Sequence, residues 1–182
     1  LAQLEPGTRM YDVDLMALQR NLLSHHFLKS AAVERELPST LHIHVTERVP
    51  VAMIHRGEIL YVDQDGVLLP HAAPGESFDL PIISGIDPRL SLTIGTQITD
   101  PDLQEALSLL SIARIITRDM YHQISEVHLR GGGDLVLYAA EGGLPILFGR
   151  GAAARKFACL ESFWAEVVRE RGSQDLEYID LR

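Results

Sequence analysis

Residues 31–52 read AAVERELPSTLHIHVTERVPVA, and this stretch decides how the chain is divided. Two segments with strand character, Ala31–Leu37 and Leu41–Val49, lie on either side of the turn-forming pair Pro38-Ser39. In the second segment apolar residues alternate with polar ones, which is typical of a strand. The residues on one face are Leu41, Ile43 and Val45, and those on the other are His42, His44 and Thr46.

A helix is predicted before these two strands. Its apolar face consists of Leu15, Leu18 and Leu22. Asp12 or Asp14 can accept backbone N–H bonds at the start of this helix. A short second helical turn is predicted at His25–Leu28, and a weak strand is expected at the N-terminus. The order of elements in the first fifty residues is therefore β-α-α-β-β.

Short strands joined by tight turns follow this first unit. Asp65-Gly66 is a strong hairpin turn between Ile59–Val62 and Val67–Leu69, whereas Pro70–Gly85 is predicted to be a loop. A closing strand is predicted at Leu176–Leu181. Glycine runs separate three other segments of strand character, which predicts an antiparallel meander. These segments are Glu126–Leu129, Leu135–Ala139 and Leu144–Phe148.

Two long helices are predicted in the second unit. Asp100 is the N-cap of the first helix, and Pro101 occupies the first helical position, where a missing N–H costs little. The second helix runs from about Ala152 to Arg171, and Gly172 is its stop signal. The apolar stripes are Leu103, Leu107 and Leu110 in the first helix and Phe157, Leu160, Trp164 and Val168 in the second.

These signals predict an α+β protein with two domains. Residues 1–49 form a small β-α-α-β-β domain, and residues 50–182 form a β-sheet domain packed with two long helices. Both sheets are expected to be mixed or antiparallel, because most strand pairs are joined by turns too short for a crossover.

Composition excludes several classes of function. The chain has 182 residues, of which 46% are hydrophobic and 23% charged, as is ordinary for a globular protein. A net charge of −9 argues against binding to nucleic acid or to anionic lipid. The single cysteine excludes an intramolecular disulfide, and no apolar run is long enough to predict a membrane span. Because the chain begins at Leu1, we expect a fragment or a processed product.

Motifs for catalysis or ligand binding are weak. Residues 149–154, GRGAAA, match G-x-G-x-x-A between a strand and a helix, but only about thirty residues follow, too few for a dinucleotide-binding sheet. His42 and His44 share a strand face near His25-His26, but a metal site needs a third ligand and outer support, so a solvated polar face is favoured. Asp63-x-Asp65-Gly66 lacks the calcium-loop spacing and is better explained by the hairpin. We therefore predict no catalytic, cofactor-binding or metal-binding residues.

The last five residues, Tyr178–Arg182, have strand character with no turn after them. A terminal strand is commonly a sheet edge, and its unpaired backbone groups can bind another strand. The alternative is that another part of the chain covers this edge, and the residues alone do not decide between the two.

The quoted stretch, from Ala32-Val33-Glu34-Arg35 to Glu47-Arg48-x-Pro50-Val51-Ala52, resembles a signature of the FtsQ/DivIB cell-division proteins. Further segments resemble that family in the same order along nearly the whole chain. They are Tyr61-Val62-Asp63-x-Asp65-Gly66, Leu80-Pro81-x-Ile83-x-Gly85, Glu126-Val127-x-Leu129, Phe148-Gly149, Lys156-Phe157 and Tyr178–Arg182.

The resemblance implies a POTRA domain followed by a β domain. It implies a single-pass protein of the inner (plasma) membrane, whose cytoplasmic tail and transmembrane helix precede this extracytoplasmic, periplasmic portion. It also implies a non-enzymatic divisome scaffold without cofactors. Such a scaffold binds FtsB- and FtsL-like partners, and other division proteins through the POTRA-like domain, and helps control septal peptidoglycan synthesis.

The resemblance also implies the site residues. Arg182 is carried over as a partner contact and Tyr178, Ile179, Asp180 and Leu181 as its supporting strand. Family sequences continue past this arginine with an aromatic residue and a further strand segment. The family's second basic contact falls near Gly131–Gly133, where Arg130 is a weak substitute.

At the predicted domain junction, Pro50 is expected to end strand pairing, and Glu47 and Arg48 to fix the inter-domain angle. Two other functions remain open at this point. One is a POTRA-type module of an outer-membrane assembly or secretion system that handles unfolded strands. The other is a small extracytoplasmic nucleotide-binding enzyme that uses the Gly149-x-Gly151 turn.

Overall fold

The computed structural model describes residues 8–71 and 78–182. The chain divides into two compact units between Val49 and Pro50. The fold class is α+β, as the sequence predicts: a POTRA-type first unit and a second unit built on a large mixed sheet.

Among its described residues, the first unit contains one α-helix and a two-stranded antiparallel sheet. Helix α1 spans Leu15–Leu23 after a 3₁₀ turn at Met10–Asp12, and the Asp14 carboxylate accepts the Ala17 N–H at 3.0 Å. Strands β1 and β2 follow at Leu28–Glu36 and Thr40–Glu47. The helix packs on β1 through a small core of Leu18, Leu22 and Ala31.

One expectation for this unit is wrong. His25–Leu28 is not helical: the Leu28 N–H bonds to the His25 carbonyl in a single turn, and β1 begins at Leu28. The apolar side of β2 is poorly covered, since Ile43 and Val45 remain 39% and 46% exposed. The physical reason is that the short helix α1 packs on β1 and leaves these β2 side chains exposed. The expected N-terminal strand falls on residues 1–7, outside the described residues.

The second unit contains one sheet of eight strands among the described residues. Its spatial order is β10-β9-β8-β7-β6-β3-β4-β5. The strands are β3 Pro50–Arg56, β4 Glu58–Asp63, β5 Leu68–Leu69, β6 Ile82–Ser84, β7 Ile124–Arg130, β8 Asp134–Ala139, β9 Pro145–Leu147 and β10 Ile179–Asp180. The pairs β3–β6, β6–β7 and β9–β10 are parallel and the other pairs antiparallel, so the sheet is mixed.

Both predicted long helices are present. Helix α2 spans Pro101–Ile116 with Asp100 as its N-cap, and the short α3 spans Arg118–His122. Helix α4 spans Ala153–Phe163 and continues through a π-helical turn and a final turn to Gly172. All predicted inward residues of both helices are buried. They pack on one face of the sheet, and the opposite face is called the outer face below.

Two predicted elements change in extent. The expected Pro70–Gly85 loop contains β6, which lies in the middle of the sheet with Ile83 fully buried. Three residues are too few to show a strand period, and residues 72–77 of that loop are outside the described part. The closing strand shortens to Ile179–Asp180.

Candidate functional site

The closing strand β10 forms one edge of the large sheet. It runs parallel to β9, and the Leu181 N–H donates to the Leu147 carbonyl at 3.0 Å. Within residues 8–71 and 78–182, no strand pairs with the other side of β10. Of the two alternatives for this edge, the described part of the chain therefore shows the uncovered one.

Strand geometry decides which groups of β10 point outward. Backbone N–H and C=O groups point to alternate sides along a strand. Ile179 and Leu181 therefore direct these groups toward β9, and Asp180 directs its N–H and C=O away from the sheet. The side chains of Ile179 and Leu181 pack against the main core, whereas Tyr178 is 54% exposed. The edge therefore offers outward backbone groups at Asp180, with side chains of Tyr178 and Arg182 beside them.

Arg182 forms a bidentate ion pair with Asp180. Its Nε and Nη2 atoms donate to Asp180 Oδ1 and Oδ2 at 3.0 and 2.7 Å, and its backbone N–H donates to Oδ1 at 3.0 Å. These bonds stabilise the carboxylate and hold the pKa of Asp180 at about 2, below the ordinary 3.8. The guanidinium is thereby oriented, although both side chains remain accessible to solvent.

Asp134 brings the two predicted basic residues to the same end of the sheet. Its Oδ2 atom lies 3.9 Å from Arg182 Nη1, and in the β7–β8 register it stands opposite Arg130. Because side chains alternate along strands, Arg130, Asp134 and Arg182 all lie on the outer face. The sequence reasoning missed Asp134, since only the register places it between the two arginines.

The G-x-G-x-x-A turn is filled by the chain's own carboxylates. Glu105 Oε1 accepts the Gly151 N–H at 3.3 Å, at the start of α4. Arg150 forms ion pairs with Glu105 and Asp102 of α2. A phosphate would meet these two negative charges where a helix N-terminus usually attracts an anion. The geometry therefore favours a structural joint between α2 and α4 over a nucleotide site.

The outer face also carries a serine, a histidine and a glutamate that the sequence did not single out. Ser84 Oγ contacts Glu126 and lies 2.7 Å from His128 Nδ1, and Glu126 Oε1 is 3.6 Å from that same nitrogen. A nucleophile–base–orienter relay requires the carboxylate and the serine on opposite ring nitrogens of the histidine. Here both groups face Nδ1, so the arrangement does not form such a relay.

The paired histidines of β2 are held as surface groups. The rings of His42 and His44 lie 6.4 Å apart and nearly parallel, and His42 contacts Glu36. Within the part of the chain that is described, no group of three His, Cys, Asp or Glu side chains is placed to hold a metal ion.

The three predicted junction residues lie where β2 ends and β3 begins. Glu47 ends β2, and the Arg48 N–H donates to the Phe27 carbonyl at 2.7 Å. Pro50 is buried and begins β3 opposite Asp63, so it starts strand pairing where it was expected to end it; a strand tolerates proline as its first residue. The proposed control of the inter-domain angle by Glu47 and Arg48 stays a prediction.

Comparison with known proteins relates both units to the same protein family. Residues 52–182 match the family described as cell division protein FtsQ/DivIB, C-terminal, and residues 1–48 match the POTRA domain, FtsQ-type. None of the described helices has the length and apolarity of a membrane span.

Three relatives illustrate the similarity. A cell division protein FtsQ of Geobacter sp. is 32% identical over 100% of this chain and 65% of its own length. Another from Myxococcus fulvus is 32% identical over 97% of this chain and 60% of its own. A cell division protein DivIB of Clostridium acetobutylicum is 26% identical over 70% of this chain and 51% of its own. The chain thus spans less than two-thirds of the length of these relatives.

Proposed function

The chain belongs to the FtsQ/DivIB family of cell-division proteins, and from this membership we propose that it is a non-catalytic scaffold of the divisome. In this proposal it binds FtsB- and FtsL-like partners by strand addition and so helps control septal peptidoglycan synthesis. Family membership favours this role over a module of outer-membrane protein assembly.

One observation carries the proposal: no described strand pairs with the edge side of β10, where the Asp180 backbone is directed away from the sheet. An extended segment that pairs with this edge would satisfy backbone groups that otherwise face solvent. Arg182 and Arg130 give the same end of the sheet two positive charges in a chain of net charge −9. Main-chain pairing would supply affinity, and these side chains would supply selectivity.

The absence of catalysis is part of the same proposal. The two arrangements that most resemble a reactive site are the Ser84–His128–Glu126 contact and the turn at Gly149–Gly151. The first has the wrong order of contacts for a relay, and the second is filled by Glu105. Both support a binding role rather than a chemical one.

The location is also proposed from the family resemblance. We place this portion outside the cytoplasm, in the periplasm where the organism has one, and attach it through a transmembrane helix of the full-length protein to the inner (plasma) membrane. We also propose that the POTRA-like unit contacts other division proteins. Strand β2 of this unit supports the proposal, because the apolar side chains of Ile43 and Val45 are exposed on it and could contact a partner.

The proposed function is tested by titrating the periplasmic segment of an FtsB-like partner from the same organism. The chain is measured beside a version extended past Arg182 along the native sequence. Binding by both supports a site on β10 and the neighbouring sheet. Binding by the extended version alone supports the scaffold role and places the main contacts after Arg182. If neither binds at micromolar concentration, the proposed partner is wrong.

A further inference from the structure

The Arg182 side chain does not stay on its own strand. Its guanidinium reaches Asp134 on β8, although β9 lies between β10 and β8 in the sheet. The stem of the side chain must therefore pass over the end of β9. The residue at that place is Gly149, two positions after β9 ends at Leu147.

Gly149 leaves the space that this crossing uses. A Cβ atom added to Gly149 would lie 2.9 Å from Arg182 Cγ and 3.6 and 3.7 Å from its Cδ and Cβ. Carbon atoms in contact prefer about 3.5–4.0 Å, so one of the two residues would have to move.

Hydrogen bonds hold the backbone at Gly149 in place, so the Arg182 side chain is the group that can move. The N–H groups of Phe148 and Gly149 both donate to the Leu135 carbonyl, at 3.0 and 2.9 Å. Lys156 Nζ donates to the Phe148 carbonyl at 2.6 Å and to the Arg150 carbonyl at 3.0 Å. These bonds fix both sides of the turn.

We propose that Gly149 is a positioning residue of the partner-binding edge: its missing side chain lets Arg182 cross β9 and present its guanidinium beside Asp134. This inference rests on the proposed function of the edge. A methyl group at this position lifts the Arg182 stem from the sheet and moves its charge away from Asp134.

Gly151 provides a matched control in the same turn. Gly149 and Gly151 have φ values of 63° and 66°, so alanine carries a similar backbone penalty at either position. A Cβ at Gly151 would have no neighbour within 4 Å. The difference between Gly149→Ala and Gly151→Ala therefore isolates the displacement of Arg182 from the strain of the backbone.

The test uses partner titration of the native chain and four variants. They are Gly149→Ala, Gly151→Ala, Arg182→Ala and the Gly149→Ala/Arg182→Ala double variant, each checked for folding by circular dichroism. We expect Gly149→Ala to weaken binding about as much as Arg182→Ala, on the order of tenfold, and the double variant to be no weaker than Arg182→Ala. Gly151→Ala should bind within about twofold of the native chain. Equal weakening by both glycine variants, or full additivity in the double variant, would overturn the inference.

A second readout does not depend on any partner. Arg182 holds the pKa of Asp180 at about 2, so displacement of the arginine should raise this pKa toward 3.8. Carboxyl titration by NMR should show that rise in Gly149→Ala and not in Gly151→Ala. If neither the native chain nor the version extended past Arg182 binds the partner but this difference appears, the proposed function fails and the positioning role stands. If the two glycine variants titrate alike, the positioning role fails whatever the binding result.

Discussion

The two edges of the large sheet differ in whether the described residues cover their backbone groups. At the β5 edge, residues 95–98 run alongside the strand: the Leu68 N–H donates to Thr96 O at 3.0 Å, and the Gly95 N–H donates to Leu68 O at 2.7 Å. The bridge between Val67 and Gln97 extends this cover. At the β10 edge, the described residues provide no such cover.

Exposed edges are a liability, because unpaired backbone groups attract any extended chain. The loop on β5 pairs with the backbone groups of that edge. In the proposed function, the β10 edge is the surface that pairs with a partner strand. Substitutions at the β5 edge should therefore lower stability, and substitutions at the β10 edge should weaken partner binding.

Leu68→Pro should cause the largest loss of stability. Leu68 is buried, so Leu68→Ala alone is expected to lower the free energy of unfolding by about 2–5 kcal/mol. Proline additionally removes the N–H that binds Thr96, which adds about 1–3 kcal/mol. Urea unfolding of both variants measures the difference. Equal stability of the two variants would show that the loop does not depend on this pairing.

Asp180→Pro should instead affect binding and leave stability nearly unchanged. The Asp180 N–H faces outward, so proline removes a group that only a partner strand uses. Relative to Asp180→Ala, partner binding should weaken by about ten- to hundredfold, which corresponds to about 1.4–2.8 kcal/mol. The alanine variant controls for the loss of the carboxylate that orients Arg182. Proline and alanine variants that bind equally, both folded, would exclude strand addition at this residue.

Gln97→Ala should have a smaller effect, confined to the covered edge. The Gln97 amide donates to the Asp65 carbonyl at 2.7 Å and fastens the loop over the hairpin turn. Losing one such bond is expected to cost about 0.5–1.5 kcal/mol of stability. Hydrogen exchange should rise at Leu68 and Ile98, whose N–H groups bond within this cover, and partner binding should not change. Weaker binding would mean that the two edges are coupled.

The sequence predicts most of the fold because its signals are local. The Asp65-Gly66 hairpin, the Asp100 cap with Pro101, the glycine-separated meander and the Gly172 stop are all confirmed. Each depends on a few adjacent residues with fixed backbone preferences. Strand β6 was missed because three residues in a loop-like stretch show no period, and its place in the sheet is set by distant strands.

The candidate site was predictable only in outline. The strand character of Tyr178–Arg182 predicted a closing strand, but the residues alone left open whether another part of the chain covers its edge. The contacts of Arg182 with Asp134 and Gly149 depend on the register of three strands, and no sequence spacing reveals them. The interaction role of these residues stays a prediction.

Two Asp-x-Arg segments give the finest comparison. In Asp87-Pro88-Arg89, the arginine Nε and Nη2 atoms donate to the aspartate at 3.1 and 2.8 Å, nearly as in Asp180-Leu181-Arg182. Each arginine holds the pKa of its aspartate at about 2. Arg89→Ala and Arg182→Ala should therefore each raise the corresponding aspartate pKa toward 3.8, as carboxyl NMR can measure.

The two substitutions should differ only in their effect on partner binding. An aspartate whose pKa is lowered on folding contributes stability above its unfolded value, near 3.8, and this contribution is lost as the pH falls through about 2. Both pairs are solvent-exposed, so this change of stability should be small in each variant. Arg89 lies in a loop with a side chain 90% exposed, whereas Arg182 stands at the uncovered edge beside Asp134. Arg182→Ala should weaken partner binding and Arg89→Ala should not, since an ion pair of the same geometry matters for recognition only where the strand beside it is left open. Equal binding by the two variants would remove Arg182 from the proposed site.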